Sequence, residues 1–268
     1  MSGVGEEKDW GAHPLISARR IEFLQAPIHL LSMHETLQLA LEAMTERKRL
    51  HHTVINAAKL VRMSENAELR TDVTAADIIN IDGMSIVWGA RLLGIDVPER
   101  VAGIDLMENL FELCAGHGFR AFLLGADRDV LGATIARLRR EYPSLQIAGS
   151  ADGYFGPGEE NRIVEEINAS MTDCLFVAMP TPRKERFLAR YRDKLQASFI
   201  MGVGGSFDVY GGKVRRAPEW IQSLGMEWLF RVAQEPRRLW RRYYETNTRF
   251  VAMLWQEYWR VRRVPRSS

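Results

Sequence analysis

The chain has 268 residues, is 46% hydrophobic and carries a net charge of +2, enough apolar material for one large α/β domain, or a domain with an appendage, and too little charge for a polyanion binder by composition. Its two cysteines, Cys114 and Cys174, lie far apart in apolar surroundings and match no metal or redox spacing, so free buried thiols in a reducing compartment are expected. No apolar run approaches the ~18 residues of a spanning helix, and residues 1–20 hold acids early and no apolar leader, so neither a membrane span nor a signal peptide is expected.

Residues 1–20 are polar and read as a flexible N-terminus. Residues 21–31 are mostly apolar around Pro27 and predict a short strand. Leu37, Leu39, Leu41 and Met44 place a helix over 34–48. A strand over 52–55 leads into a helix from 57. A β-branched strand over 78–81 ends at Asp82-Gly83, and a helix over 84–93 is closed by Gly94. Further helices are predicted over 104–115, from the turn at Gly125 through Arg139 and Arg140, over 159–170 and over 183–194. Strands are predicted over 120–124, 146–148, 174–178 and 198–203. Strand alternating with helix predicts an α/β fold with a Rossmann-like parallel sheet flanked by helices. After Asp208 the strand signal stops, and from Pro218 only helices interrupted at Pro236 are expected. The expected organisation is therefore a core over 21–215 and a basic, aromatic helical appendage over 216–268.

Ligands of such sheets sit beyond the carboxyl ends of the strands. Four of these ends carry Gly or an acid: Asp82-Gly83, Gly125-Ala126-Asp127, Met179-Pro180-Thr181-Pro182 and Gly202-Val203-Gly204-Gly205. Gly204 and Gly205 allow either a tight turn or a cradle of backbone N–H groups for phosphate. The run lacks the last glycine of a dinucleotide fingerprint, because Phe207 stands there. Asp82 reads as a helix N-cap or as a general base. Asp127-Arg128-Asp129 resembles a metal-holding DxD, but its place before a helix suits N-terminal capping better. Glu185 fits a first helical turn, whereas Lys184 opposes the helix dipole there, a conflict that a nearby anion would remove.

The stretch from Arg215 to Arg266 holds twelve arginines against five glutamates, together with five tryptophans. It reads as a solvated helix pair or as a surface for phosphates, anionic lipid or both. Arg237, Arg238, Arg241 and Arg242 cluster within about one and a half turns, and guanidinium forks match diphosphate oxygens. No nucleic-acid partner is expected, because the body has no basic stripe or nucleic-acid motif.

Eight blocks recur in family order: Ile81-Asp82-Gly83-Met84, Val101-Ala102-Gly103-Ile104-Asp105-Leu106, Asp152-Gly153-Tyr154-Phe155, Pro182-Arg183-Lys184-Glu185, Gly202-Val203-Gly204-Gly205-Ser206-Phe207-Asp208, Arg215-Arg216-Ala217-Pro218, Glu227-Trp228-Leu229-Phe230-Arg231 and Glu235-Pro236-Arg237-Arg238. Together they resemble the WecG/TagA/CpsF family of bacterial glycosyltransferases. The resemblance implies transfer of a sugar from a UDP-sugar to a polyprenyl-diphosphate-linked saccharide in exopolysaccharide or other surface-polysaccharide synthesis. It implies inversion at the anomeric carbon, no metal and no cofactor, and a peripheral place on the inner face of the cell membrane. It also implies homo-oligomerisation that competes with membrane docking.

By the same resemblance Asp82 is the general base, and Arg231, Arg238 and Arg241 stabilise the leaving UDP. Tyr154 and Asp208 fall on nucleotide-pocket positions and Asn56 beside them. Gly125, Lys184, Glu185, Gly204, Gly205 and Arg237 complete the expected substrate-binding set. Two departures stand out: Lys184 replaces the family's usual Gln, and Val54 stands where Thr is frequent, with Thr53 one place earlier. Two alternatives stay open: a nucleotide-binding oxidoreductase, and a non-catalytic membrane or nucleic-acid adaptor using the Arg/Trp tail.

Overall fold

A computed structural model describes residues 9–263, the side chains of Ser223 and Arg238 excepted. In chain order it contains α1 (Pro14–Arg19), β1 (Arg20–Phe23), β2 (Ala26–His29), α2 (Met33–Glu46), β3 (Leu50–Ile55), α3 (Ala57–Glu65), α4 (Ala67–Thr74), β4 (Ile78–Ile81), α5 (Met84–Leu92), α6 (Gly103–His117) and β5 (Arg120–Gly125). There follow α7 (Arg128–Glu141), β6 (Gln146–Ala151), α8 (Glu160–Ala169), β7 (Cys174–Ala178), α9 (Arg183–Arg190), β8 (Phe199–Gly202), α10 (Ser206–Tyr210), α11 (Glu219–Ser223), α12 (Glu227–Gln234) and α13 (Pro236–Arg263).

Six strands form one parallel sheet in the order β4-β3-β8-β7-β5-β6. Strands β3, β7 and β8 are buried along their whole length, as expected for parallel strands covered on both faces. The helices begin and end where local chemistry dictates. Ser32 and Glu35 form a reciprocal capping box on α2. The Asp127 carboxylate accepts the Val130 N–H at the start of α7, and α6 ends at Gly118 in the left-handed region (φ 72°). Cys114 and Cys174 are free and buried.

Three elements differ from expectation. Residues 21–31 do not form one strand: β1 and β2 pair as an antiparallel hairpin. The turn is Leu24-Gln25, both at positive φ (48° and 61°), and such residues give no sequence signal for a turn that Asn-Gly usually marks. Residues 9–20, expected to be flexible, join the core. Trp10 is 2% exposed, Ile16 is buried, and Trp10 Nε1 donates to the Arg49 carbonyl at 2.6 Å. The helix expected over 183–194 stops at Arg190.

From Glu219 to Arg263 the appendage is helical as expected, residues 264–268 lying outside those described, and α13 starts with Pro236 at its first position, where its missing N–H is harmless. These helices dock closely on the core. Phe250 is buried among Phe23, Ile81, Ile86 and Leu60. The methyls of Leu254 would lie 3.3 Å from a Cβ at Gly89 in α5. At Gly225 (φ 67°), between α11 and α12, a Cβ would fall 2.7 Å from both Met84 and Trp88 of α5. The opposite side of α13 exposes Trp240, Tyr244, Val251, Trp255 and Trp259, whose spacing puts them on one helical face. No helix of the described residues is long and apolar enough to cross a membrane.

Candidate active site

The sheet's carboxyl edge opens because its helices leave on opposite sides. Helices α7 and α10, which follow β5 and β8, pack on the face of Leu123 and Met201. Helix α9 packs on the face of Leu175 and Ile200. The pairing of His51 with Ile200 puts Ile55 on that same face, where α3 covers it. The chain thus leaves β3 and β7 on one face and β8 and β5 on the other, the arrangement at which open α/β sheets take their ligands.

Asp82 ends β4 on this edge, and its N–H donates to the Ile55 carbonyl at 3.0 Å. Gly83, not Asp82, is the N-cap of α5. The Asp82 carboxylate instead reaches across to α6, where Oδ1 accepts the Gly103 N–H at 3.0 Å. Asn56 caps α3 by accepting the Lys59 N–H at 3.0 Å. Its Cβ would lie 3.2 Å from a Cβ at Gly83, so Asn56 and the Asp82-Gly83 turn touch.

A second cluster lies beneath the middle of the edge. Glu185 Oε1 is 2.9 Å from Lys59 Nζ and 3.3 Å from Lys184 Nζ, and it accepts the Thr181 hydroxyl at 3.1 Å. Lys59 also donates to the Thr53 hydroxyl at 3.2 Å. The Thr53 hydroxyl therefore stays in this neighbourhood, while Val54 faces Gly103. Lys184 is 4% and Glu185 3% exposed. Burial, with the Lys59 charge, brings the Lys184 ammonium down to about 8 against the pull of Glu185 and Asp82. Burial pushes the Glu185 carboxyl up, but Lys59 and Lys184 outweigh it and hold Glu185 well below the usual carboxylate range.

The third cluster surrounds the glycine turn after β8. Gly204 has φ 55°, a conformation glycine adopts without strain. A Cβ at Gly205 would lie 3.1 Å from Arg231 Nη2 and 3.5 Å from Asp208 Oδ2, so the Arg231 guanidinium lies against this turn beside Asp208. Lys213 Nζ is 3.9 Å from Asp208 Oδ1 and 2.5 Å from Asp127 Oδ2. Asp127 is thus committed to a helix cap and to Lys213. Tyr154 is 78% exposed at the end of β6, with its N–H on Asp152 Oδ1 at 3.0 Å.

The expected site residues do not all converge. Gly125 is a close backbone approach: at φ 121° a Cβ there would fall 2.4 Å from the Ala178 carbonyl oxygen. Arg237 and Arg241 are exposed on α13, and Arg241 Nε donates to Glu245 one turn on, at 2.8 Å. The Arg238 side chain lies outside the described residues. Sequence reasoning missed Lys59, Thr53, Arg183 and Gly103. Arg183 Nη1 donates to the Gly153 carbonyl at 2.6 Å and its Nη2 to that of Phe155, which ties the Tyr154 loop to α9. Its place beside Lys184 in the fourth block was the available signal. Among the described residues no three His, Cys, Asp or Glu side chains group as a metal site.

A parallel α/β sheet flanked by helices, with charged side chains and glycine turns gathered at its carboxyl edge, defines a Rossmann-like fold. The chain belongs to the glycosyl transferase WecG/TagA/CpsF family, whose model matches residues 21–264. It is thus a glycosyltransferase of cell-surface polysaccharide synthesis, acting between a sugar-nucleotide donor and a saccharide acceptor. Family membership sets aside the oxidoreductase and adaptor alternatives.

Proposed function

We propose that this glycosyltransferase moves a hexose from a UDP-sugar to a polyprenyl-diphosphate-linked saccharide, with inversion at the anomeric carbon and without a metal. One observation carries the reading: Asp82 and Arg231 stand on the same sheet edge, a carboxylate beside Asn56 and a guanidinium on the Gly204-Gly205 turn. Inverting transfer needs those two functions. Asp82 takes the proton from the acceptor hydroxyl as its oxygen attacks the sugar C1 and the C1–O bond to UDP breaks. Oδ1 stays on the Gly103 N–H, and Oδ2 receives the proton. Arg231 neutralises the charge that develops on the departing diphosphate, while backbone N–H groups of the glycine turn approach its oxygens. Asp208 and Tyr154 flank the uridine diphosphate, and Arg237 and Arg241, exposed on α13, add positive charge once Arg241 leaves Glu245; Arg238 is assigned to the same role by its place in the eighth block.

The test is UDP release across a panel of UDP-hexoses, run with EDTA and with a polyprenyl-diphosphate saccharide extract. Release with one donor, dependent on the lipid acceptor and insensitive to EDTA, is the expected result. Release that stops with EDTA overturns metal independence. Wild-type protein that binds no UDP overturns the reading as a whole.

The exposed aromatic face of α13 supports action at the inner face of the cell membrane. Trp255 is 59% exposed and Trp259 43%, and Arg260, Arg262 and Arg263 follow in the last turn. Indoles at headgroup depth with arginines beside them suit an anionic leaflet. The protein is expected to sediment with vesicles containing phosphatidylglycerol and not with neutral ones. Trp255→Ala with Trp259→Ala should weaken binding about tenfold or more, and 0.5 M salt should weaken it further. Equal binding by wild type and double variant would remove this face from docking. Self-association is also part of the proposal, with docking and oligomer competing; sedimentation velocity with and without vesicles tests it.

A further inference from the structure

We propose that the buried Lys184 ammonium is a subsite for an anionic group of the donor, a sugar carboxylate or the diphosphate, and that it governs which donors the protein accepts. The inference rests on the nucleotide-sugar reading above and adds the chemical class of the donor.

The Lys184 stem crosses Gly202 at the end of β8, where an added Cβ would fall 2.7 Å from Lys184 Cε and 2.8 Å from its Cδ. Its Nζ would lie 3.7 Å from a Cβ at Gly204. The ammonium thus sits directly under the glycine turn, in the middle of the carboxyl edge. The field of Asp82 reaches it from the end of β4, on the far side of β3.

Lys59 and Lys184 converge on one oxygen, Glu185 Oε1, at 2.9 and 3.3 Å. Two cations share one carboxylate, which leaves one surplus positive charge among side chains that are 7%, 4% and 3% exposed. Lys59 has the shorter contact with Glu185 and the Thr53 hydroxyl besides, so Glu185 is already matched without Lys184. Buried charges without a full partner are destabilising. Burial is the leading influence on Lys184 and brings its pKa down to about 8, so stability does not account for the ammonium. Asp82 balances the surplus only while it is ionised. Once Asp82 holds the acceptor's proton, the group Lys59, Lys184 and Glu185 carries an unmatched charge unless an anion lies beside it.

Glu185 Oε2 is buried and accepts no hydrogen bond from the described residues. A surplus ammonium next to an empty acceptor is complementary to a group carrying an acid and a hydroxyl side by side, as a sugar acid does.

Calorimetric titration of the full-length protein with UMP, UDP, UDP-glucose and UDP-glucuronate tests the subsite. Lys184→Gln is expected to weaken UDP-glucuronate at least about tenfold, with UDP-glucose changing about twofold or less. Gly202→Ala, which displaces the lysine stem but keeps its charge, should shift affinity in the same direction. Lys184 is charged below about 8 and loses its proton above it. The wild-type preference for the uronate should therefore shrink between pH 7 and 9, and the Lys184→Gln protein should show no such trend. A loss shared by UDP and both UDP-sugars, but absent for UMP, assigns the ammonium to the diphosphate instead. Unchanged affinity for all four ligands, or an equal loss that includes UMP, overturns the subsite. Wild-type protein that binds none of the four overturns the nucleotide-sugar reading first.

Discussion

Asp82→Asn is expected to lower the turnover number by about 10²- to 10⁴-fold, the usual contribution of a positioned general base, with UDP affinity essentially unchanged. The expectation follows from the two jobs of this carboxylate. Oδ1 accepts the Gly103 N–H at the start of α6, and an asparagine oxygen can do the same, so the cap and the α5–α6 region survive. What the amide cannot do is accept the acceptor's proton. Asp82→Ala removes both functions and should also lower the melting temperature, because loss of a cap costs on the order of 1 kcal/mol. Single-turnover kinetics with donor and lipid acceptor, set beside thermal melts, separates the two. An Asp82→Asn enzyme as fast as wild type would falsify the assignment of Asp82 as base.

Arg231→Gln should lower turnover by about 10²- to 10³-fold, as removal of a preorganised donor to a developing anion does. Arg231 lies against the Gly205 turn on a helix anchored at several points. Arg100 meets Glu227 at 3.5 Å, and Gln234 exchanges two hydrogen bonds with the Arg215 backbone. The helix that carries the guanidinium is thus held at the edge, which under the proposed mechanism limits the reorganisation needed as the diphosphate departs. Arg231→Lys should recover only part of the loss, since an ammonium lacks the paired donors of the fork. If Arg231→Gln turns over like wild type, the charge is carried by Arg237, Arg238 or Arg241 on α13, and the same assay on those variants identifies which.

Much of the fold was legible because its signals are local. Continuous apolar runs such as 174–178 mark strands buried on both faces, and Gly118 and Pro236 mark helix ends where they stand. The hairpin was not legible, because Leu24 and Gln25 take up positive φ under tertiary constraint rather than by propensity. Nor was the burial of Trp10, which depends on a contact with Arg49 far along the chain. The site follows the same division. Asp82 and the glycine turn lie at strand ends, which pattern reveals. The partnership of Lys59, Thr53, Thr181 and Glu185 joins three segments, and no spacing announces it. Asp82 looked like the cap of the helix that follows it; it serves α6, reached only after a turn through space. Arg241 illustrates the reverse case: its motif position points to the site, while its guanidinium pairs with Glu245 on its own helix.

The contact between Gly202 and the Lys184 stem makes two positions on different elements a single unit of variation. While a long side chain at 184 crosses the strand, any larger residue at 202 must push it aside. A shorter residue at 184 would lift that restriction. A library that randomises position 202 alone will therefore sample mostly blocked combinations, whereas position 184 varies freely above a glycine at 202. Paired libraries, with position 202 enlarged only where position 184 is shortened, are the economical route to altering what this edge accepts.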